Sequence, residues 1–212
     1  MKHYGELPEV IDKIKIDCKE MMFYQYLPIK LKNSHPIHLE ERLLIFEPLI
    51  KKCLDDFEEN FGLQEILDSY IYLTAKREYQ IKGKSFNREG RHSDGFLTDD
   101  INYIWCDKNP TIFNTSKFEL TLDDCISIGE MKEQALIINN YTFDENTLLR
   151  LDQFNIHKVN DENVLEGMRT FVKVSFSKDK YDLEGNARNY QLDYDWKMKP
   201  RKKERNIPQS TL

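Results

Sequence analysis

The stretch SYIYLTAKREYQI, residues 69–81, contains no glycine or proline and interleaves Tyr, Ile, Leu and Thr with polar residues. Side chains of this kind suit a pleated, half-buried surface, and alternation with a period of two marks a strand. Similar segments follow at loop-separated intervals: INYIW (101–105), TIFN (111–114), QALIIN (134–139), TLLRLD (147–152), FNIHKV (154–159) and MRTFVKVSF (168–176). Many short strands predict a sandwich or roll.

The N-terminal third has a different rhythm. From Glu40 to Phe61, Leu43, Leu44, Phe46, Leu49, Ile50, Leu54, Phe57 and Phe61 recur at three- and four-residue steps before Gly62, which predicts an amphipathic helix. Pro48 either kinks that helix or begins a second one. A further helix is expected over Pro8–Phe23, with Val10, Ile11, Ile14 and Cys18 on one side. The expected organisation is mainly β with a helical flank, α+β overall, in a single domain. Residues 1–68 form the helical flank, 69–178 the β core, and 179–212 a polar extension whose KPRKKER run (199–205) opens a fraying tail.

A chain of 212 residues can bury one good core. Its net charge of -6 argues against a surface devoted to duplex nucleic acid, which needs clustered cations. Cys18, Cys53, Cys106 and Cys125 form no C-x-x-C pair, so neither a zinc clip nor a disulfide framework is signalled, and a reducing cytoplasm is the expected location. The opening MKHYGELPEV lacks a signal-peptide layout, and no stretch has the length of a membrane span.

Candidate chemistry begins at GRHSDGF (90–96). In an extended chain His92 and Asp94 point to one side, so an imidazole and a carboxylate could share a metal ion. With five histidines in the chain the pair alone is weak, and HLE at 38–40 is a comparable decoy. Downstream, His157 shares a side of FNIHKV with Asn155 and Val159. Twelve residues later Arg169 stands in an apolar strand, where a cation demands an anionic partner. Two neutral imidazoles and one carboxylate make a facial triad that leaves ferrous iron three open positions. Two of these can take a 2-oxoacid and one dioxygen, while arginine's planar fork fits a distal carboxylate.

In this order on predicted strands, H-x-D, His and Arg resemble the Fe(II)- and 2-oxoglutarate-dependent dioxygenases over roughly residues 70–177. The resemblance implies a double-stranded β-helix core of jelly-roll, cupin-like form, packed against the N-terminal helices. It also implies Fe(II) held by His92, Asp94 and His157, with 2-oxoglutarate as co-substrate clamped by Arg169. Tyr103 of INYIW would supply a phenol to the co-substrate carboxylate, or else, with Trp105, pack as ordinary aromatic core. Many members carry R-x-S where this chain has Arg169-Thr170-Phe171, which leaves the serine contact unassigned. In halogenating relatives a small residue replaces Asp94, so hydroxylation is expected, with release of succinate and carbon dioxide.

Arg91 should point away from His92 into solvent. Asp99 and Asp100 read as a polar turn, or as an acidic loop touching substrate. The favoured partner is a small molecule, such as an amino acid or related metabolite, and no membrane is involved. A nucleobase or nucleic-acid substrate is the alternative, with KREYQIKGKSFNR (76–88) and the basic tail supplying charge and stacking. A non-catalytic β-roll binding module is the third reading.

Overall fold

The computed structural model describes residues 2–84, 90–161 and 163–201. In the described residues, strands β1 (Glu9–Lys13), β2 (Met22–Lys30), β3 (Tyr70–Gln80), β4 (Ile101–Cys106), β5 (Ile112–Asn114), β6 (Asn140–Thr142), β7 (Thr147–Leu151), β8 (His157–Lys158) and β9 (Gly167–Ser177) build two antiparallel sheets. The larger runs β1-β7-β4-β9-β3-β2, and the smaller runs β6-β5-β8. Their longest pairing joins β3 to β9, from Tyr70 opposite Ser177 to Gln80 opposite Gly167.

A 3-10 turn, Glu41–Phe46, leads into helix α1 (Glu47–Phe61), with Pro48 in its first turn. Proline is tolerated there because the first helical N–H groups have no intrahelical acceptor. Thus Pro48 opens the second of two helical pieces. Gly62, at φ 90°, separates α1 from α2 (Leu63–Asp68).

Period-two alternation divides the large sheet between two cores. Leu73 and Ala75 of β3, Tyr103 and Trp105 of β4, and Val172, Val174 and Phe176 of β9 pack against Leu49, Cys53 and Phe57 of α1. Phe57 stacks on Phe176 with ring centroids 4.0 Å apart. On the other face, Ile104, Cys106, Leu149, Leu151 and Phe171 meet Phe113 and Val159. Arg169 and Lys173, two positions either side of Phe171, share that second face.

The expected helix over Pro8–Phe23 is not formed. Residues 9–13 are strand β1 on β7, and β2 begins at Met22 against β3. Val10 is exposed, so the apolar spacing had no helix-burying surface behind it, and pairing with waiting sheet edges decides the conformation. Pro28 is accommodated because β2 is an edge strand. Helix in the N-terminal flank is therefore confined to residues 41–68.

QALIIN is not a strand. Helix α3 (Asp124–Gln134) ends within it and a 3-10 turn, Ile137–Asn139, follows. Asp123 caps α3 by accepting from the Cys125 and Ile126 N–H groups. Short apolar runs do not distinguish strand from other structure by period, and here Ile137 and Ile138 face solvent. No helix among the described residues is long and apolar enough to cross a membrane. Most of KPRKKER, and residues 85–89 of KREYQIKGKSFNR, lie outside the described residues.

Candidate metal centre

The H-x-D segment is joined to the small sheet at one residue. His92 and His157 form an antiparallel bridge, each N–H donating to the other's carbonyl at 2.9 Å. This brings their ring centroids within 4.6 Å. Gly90 and Gly95 bracket the segment at φ 79° and 74°, a region that β-carbon sterics close to most residues. At Gly95 a β-carbon would also lie 2.9 Å from the Thr98 hydroxyl and 3.0 Å from Asp100 Cβ. Ser93 ties the loop down by donating to the Gln153 carbonyl at 2.6 Å.

Both imidazoles are oriented from behind. Nδ1 of His157 donates to the Asn155 carbonyl at 2.9 Å, and Nδ1 of His92 to that of Gly90 at 3.2 Å. A proton held at Nδ1 leaves the Nε2 lone pair for a metal. Asn155 is itself fixed, since its side chain donates to the Glu6 carbonyl and accepts from the Asp152 N–H.

Asp94 completes the cluster, with Oδ2 3.8 Å from Nε2 of His157. One ligand atom from each of His92, Asp94 and His157 lies within 4.8 Å of the others. Three donors on one face of an ion with bonds of about 2.1 Å stand about 3 Å apart, so side-chain movements of up to about 2 Å would close the set around one ion. The donor set fits a divalent transition metal.

A fourth residue, absent from the motif reading, reaches the same carboxylate. Lys173 Nζ lies 3.1 Å from Asp94 Oδ2, 3.3 Å from the Tyr26 hydroxyl and 4.9 Å from the centre of the Tyr26 ring. Burial by itself would push the Asp94 carboxyl up, but Lys173, His157 and His92 outweigh it and hold the group well below the usual carboxylate range. Lys173 is held above its ordinary value, because Asp94 and Tyr26 together outweigh the opposing effect of burial.

Arg169 is fully buried on β9, opposite Glu78 of β3, and Nε donates to the Lys108 carbonyl at 2.8 Å. His92, Asp94, His157, Arg169 and Lys173 wall one cavity, with Thr74 and Thr111 also on its walls. Thr170 does not take the place of the missing serine. Its hydroxyl accepts from Arg77 at 2.8 Å and its N–H donates to Asp107 at 2.7 Å. Tyr26, Thr74 and Thr111 bring hydroxyls to the cavity of Arg169, and none of them stands in a motif position.

Tyr103 is not brought to this cavity. It faces α1, where its hydroxyl donates to Asp56 Oδ2 at 2.6 Å beside Arg150, which contacts the same oxygen at 2.7 Å. Alternation in β4 turns Ile104 toward the cavity and its neighbours Tyr103 and Trp105 away. Arg91 is not solvated as expected. It is buried, and Nη2 donates to Asn140 Oδ1 at 2.6 Å, tying the H-x-D segment to β6.

Neither protein-family models nor curated proteins give a match. Two imidazoles with Nδ1 occupied, one carboxylate and two buried cations surround a cavity lined in part by Ile104, Val159 and Phe171.

Proposed function

We propose that this chain is an Fe(II)- and 2-oxoglutarate-dependent oxygenase that hydroxylates a small molecule, such as an amino acid or related metabolite. The observation that carries this reading is the convergence of His92, Asp94, His157 and the buried Arg169 on one cavity. The two sheets correspond in this reading to the major and minor sheets of a double-stranded β-helix.

Charge favours a dianionic co-substrate. With neutral imidazoles, the Asp94 carboxylate and the Lys173 ammonium cancel. On the same face of β3 and β9, Lys76 is paired with Glu78 at 3.1 Å. A divalent ion at the triad would add positive charge to the cavity on whose wall the Arg169 guanidinium stands. A 2-oxo diacid supplies two carboxylates and a keto oxygen, enough to meet both the metal and the guanidinium fork.

Ferrous iron held by the triad would supply activation of dioxygen coupled to decarboxylation of 2-oxoglutarate. One oxygen atom enters the product hydroxyl and the other enters succinate, with carbon dioxide as the third product. His92 and His157 would present Nε2 to the metal, fixed by their Nδ1 hydrogen bonds. Asp94 would bind through its carboxylate while Lys173 restrains it. Arg169 would fix the far carboxylate of 2-oxoglutarate, while Ile104, Val159 and Phe171 keep water away. Anaerobic titration of the full chain with Fe(II) and 2-oxoglutarate, followed by its weak visible charge-transfer band, tests the reading.

A further inference from the structure

The cavity of Arg169 has a neighbour. A second chamber shares Tyr26, Asp94 and Lys173 with it and is otherwise lined largely by residues between 180 and 201 and by the segment after Asp94. The turn after Asp94 forms one wall of this chamber. Another is the C-terminal extension, held in shape by a bridge between Leu183 and Lys199 and by the Ala187 N–H donating to the Gln25 carbonyl at 2.8 Å. A molecule in this chamber lies beside Asp94, and Arg169 is not among the chamber's walls.

The chamber's charges are unevenly matched. Asp94 is paired with Lys173, and Asp182 with Lys199 at 2.7 Å. Asp100 is more than nine-tenths buried and lines the chamber, yet among the described residues it makes no ion pair. Its carboxylate accepts from the Tyr181 hydroxyl at 2.7 Å. Burial first, and Asp100 second, push the Tyr181 phenol up, so the phenol remains the donor in this hydrogen bond. A buried carboxylate served only by a neutral donor calls for a cation. On the extension side stand Lys180 and Arg201, whose Nε donates to the Glu184 carbonyl at 2.8 Å. One buried anion facing a basic rim matches a ligand of both signs. A polyanionic strand would meet the carboxylates of Asp100 and Asp124, which make no ion pair among the described residues.

We propose that this chamber receives the organic substrate, and that the substrate is an amino-acid zwitterion whose ammonium pairs with Asp100 and whose carboxylate faces Lys180 and Arg201. The substrate role rests on the oxygenase reading above, whereas the ammonium site rests on Asp100 alone.

The test uses the full chain, both metal-free and loaded anaerobically with Fe(II) and 2-oxoglutarate. Each protein is titrated with the twenty common L-amino acids, their N-acetyl derivatives and short single-stranded oligonucleotides, with thermal midpoint and calorimetric binding as readouts. At least one free amino acid should bind and its N-acetyl derivative should not. Asp100→Asn, which keeps an acceptor for Tyr181, should weaken that binding about tenfold or more. Binding that survives N-acetylation, binding unaffected by Asp100→Asn, binding of oligonucleotides alone, or no binding at all would each overturn the proposal. Should Asp100→Asn fail to fold, the free and acetylated ligands on the wild type decide. Absence of the charge-transfer band with amine-dependent binding intact would overturn the oxygenase reading and support the ammonium site.

Discussion

Lys173 Nζ stands 3.1 Å from Asp94 Oδ2, so the carboxylate at the centre of the metal cluster is already half of a buried ion pair. The pair lies where the two chambers meet. Removing one member of a buried pair leaves the other charge uncompensated, at a cost of about 3 kcal/mol. Lys173→Met should therefore destabilise the metal-free protein by that order in chemical denaturation. A divalent cation should raise the thermal midpoint more in the variant than in the wild type, because it then supplies the charge that Asp94 has lost. Equal metal-induced shifts would show that Lys173 does not balance Asp94.

Arg169→Lys keeps a charge but loses the planar fork. It should weaken 2-oxoglutarate about tenfold or more, read as the midpoint of the charge-transfer titration, while Fe(II) affinity measured without co-substrate stays close to that of the wild type. A parallel loss of both affinities would place Arg169 in the fold and not in the co-substrate site.

Tyr103 lies across the sheet from the cavity and donates to Asp56. Tyr103→Phe should cost about 1.5 kcal/mol of stability through that charge-assisted hydrogen bond. Co-substrate affinity should move by less than about twofold, since the two sites share no partner. A large change in 2-oxoglutarate affinity would contradict the observed placement.

The part of the site legible in sequence was the part that local periodicity could place. His92 and Asp94 are two positions apart and His157 and Arg169 sit on strand-like segments, but residue type and a period of two leave each one weak, and it is their order, in its resemblance to the dioxygenases, that joins them into one site. The same rule could have found Lys173, four residues beyond Arg169 and therefore on the same face of β9. A buried lysine demands an anion as much as a buried arginine does. Tyr103 shows the limit of the rule, because alternation says which residues share a face and not which face looks inward. The strands that replace the expected Pro8–Phe23 helix are not legible locally because their pairing partners, β7 and β3, lie far along the chain. Asp100 reads in sequence as a turn residue or as part of an acidic loop near substrate, and its burial is not legible because the extension that covers it arrives some eighty positions later through Tyr181.

Stability should also fall in alkali. Burial holds the Cys53 thiol well above its ordinary value of 9.0, and burial and Asp56 raise the Tyr103 phenol above 10.0. A group whose folded value is raised gives its full contribution below the unfolded value and loses it as pH rises through the folded one. The unfolding free energy should therefore decline from about pH 9 upward, by about 1.4 kcal/mol per pH unit for each group kept neutral. Denaturation curves at pH 7.5 and 10.5 check this, and Cys53→Ala should show a shallower decline. A flat profile would contradict it.

The most direct measurement of the central claim is the visible spectrum of the full chain under anaerobic conditions with Fe(II) and 2-oxoglutarate. A weak charge-transfer band that requires both additions, and that vanishes in Asp94→Ala, is the expected result. No band, or a band that persists in Asp94→Ala, would contradict the assignment of His92, Asp94 and His157 as the iron site.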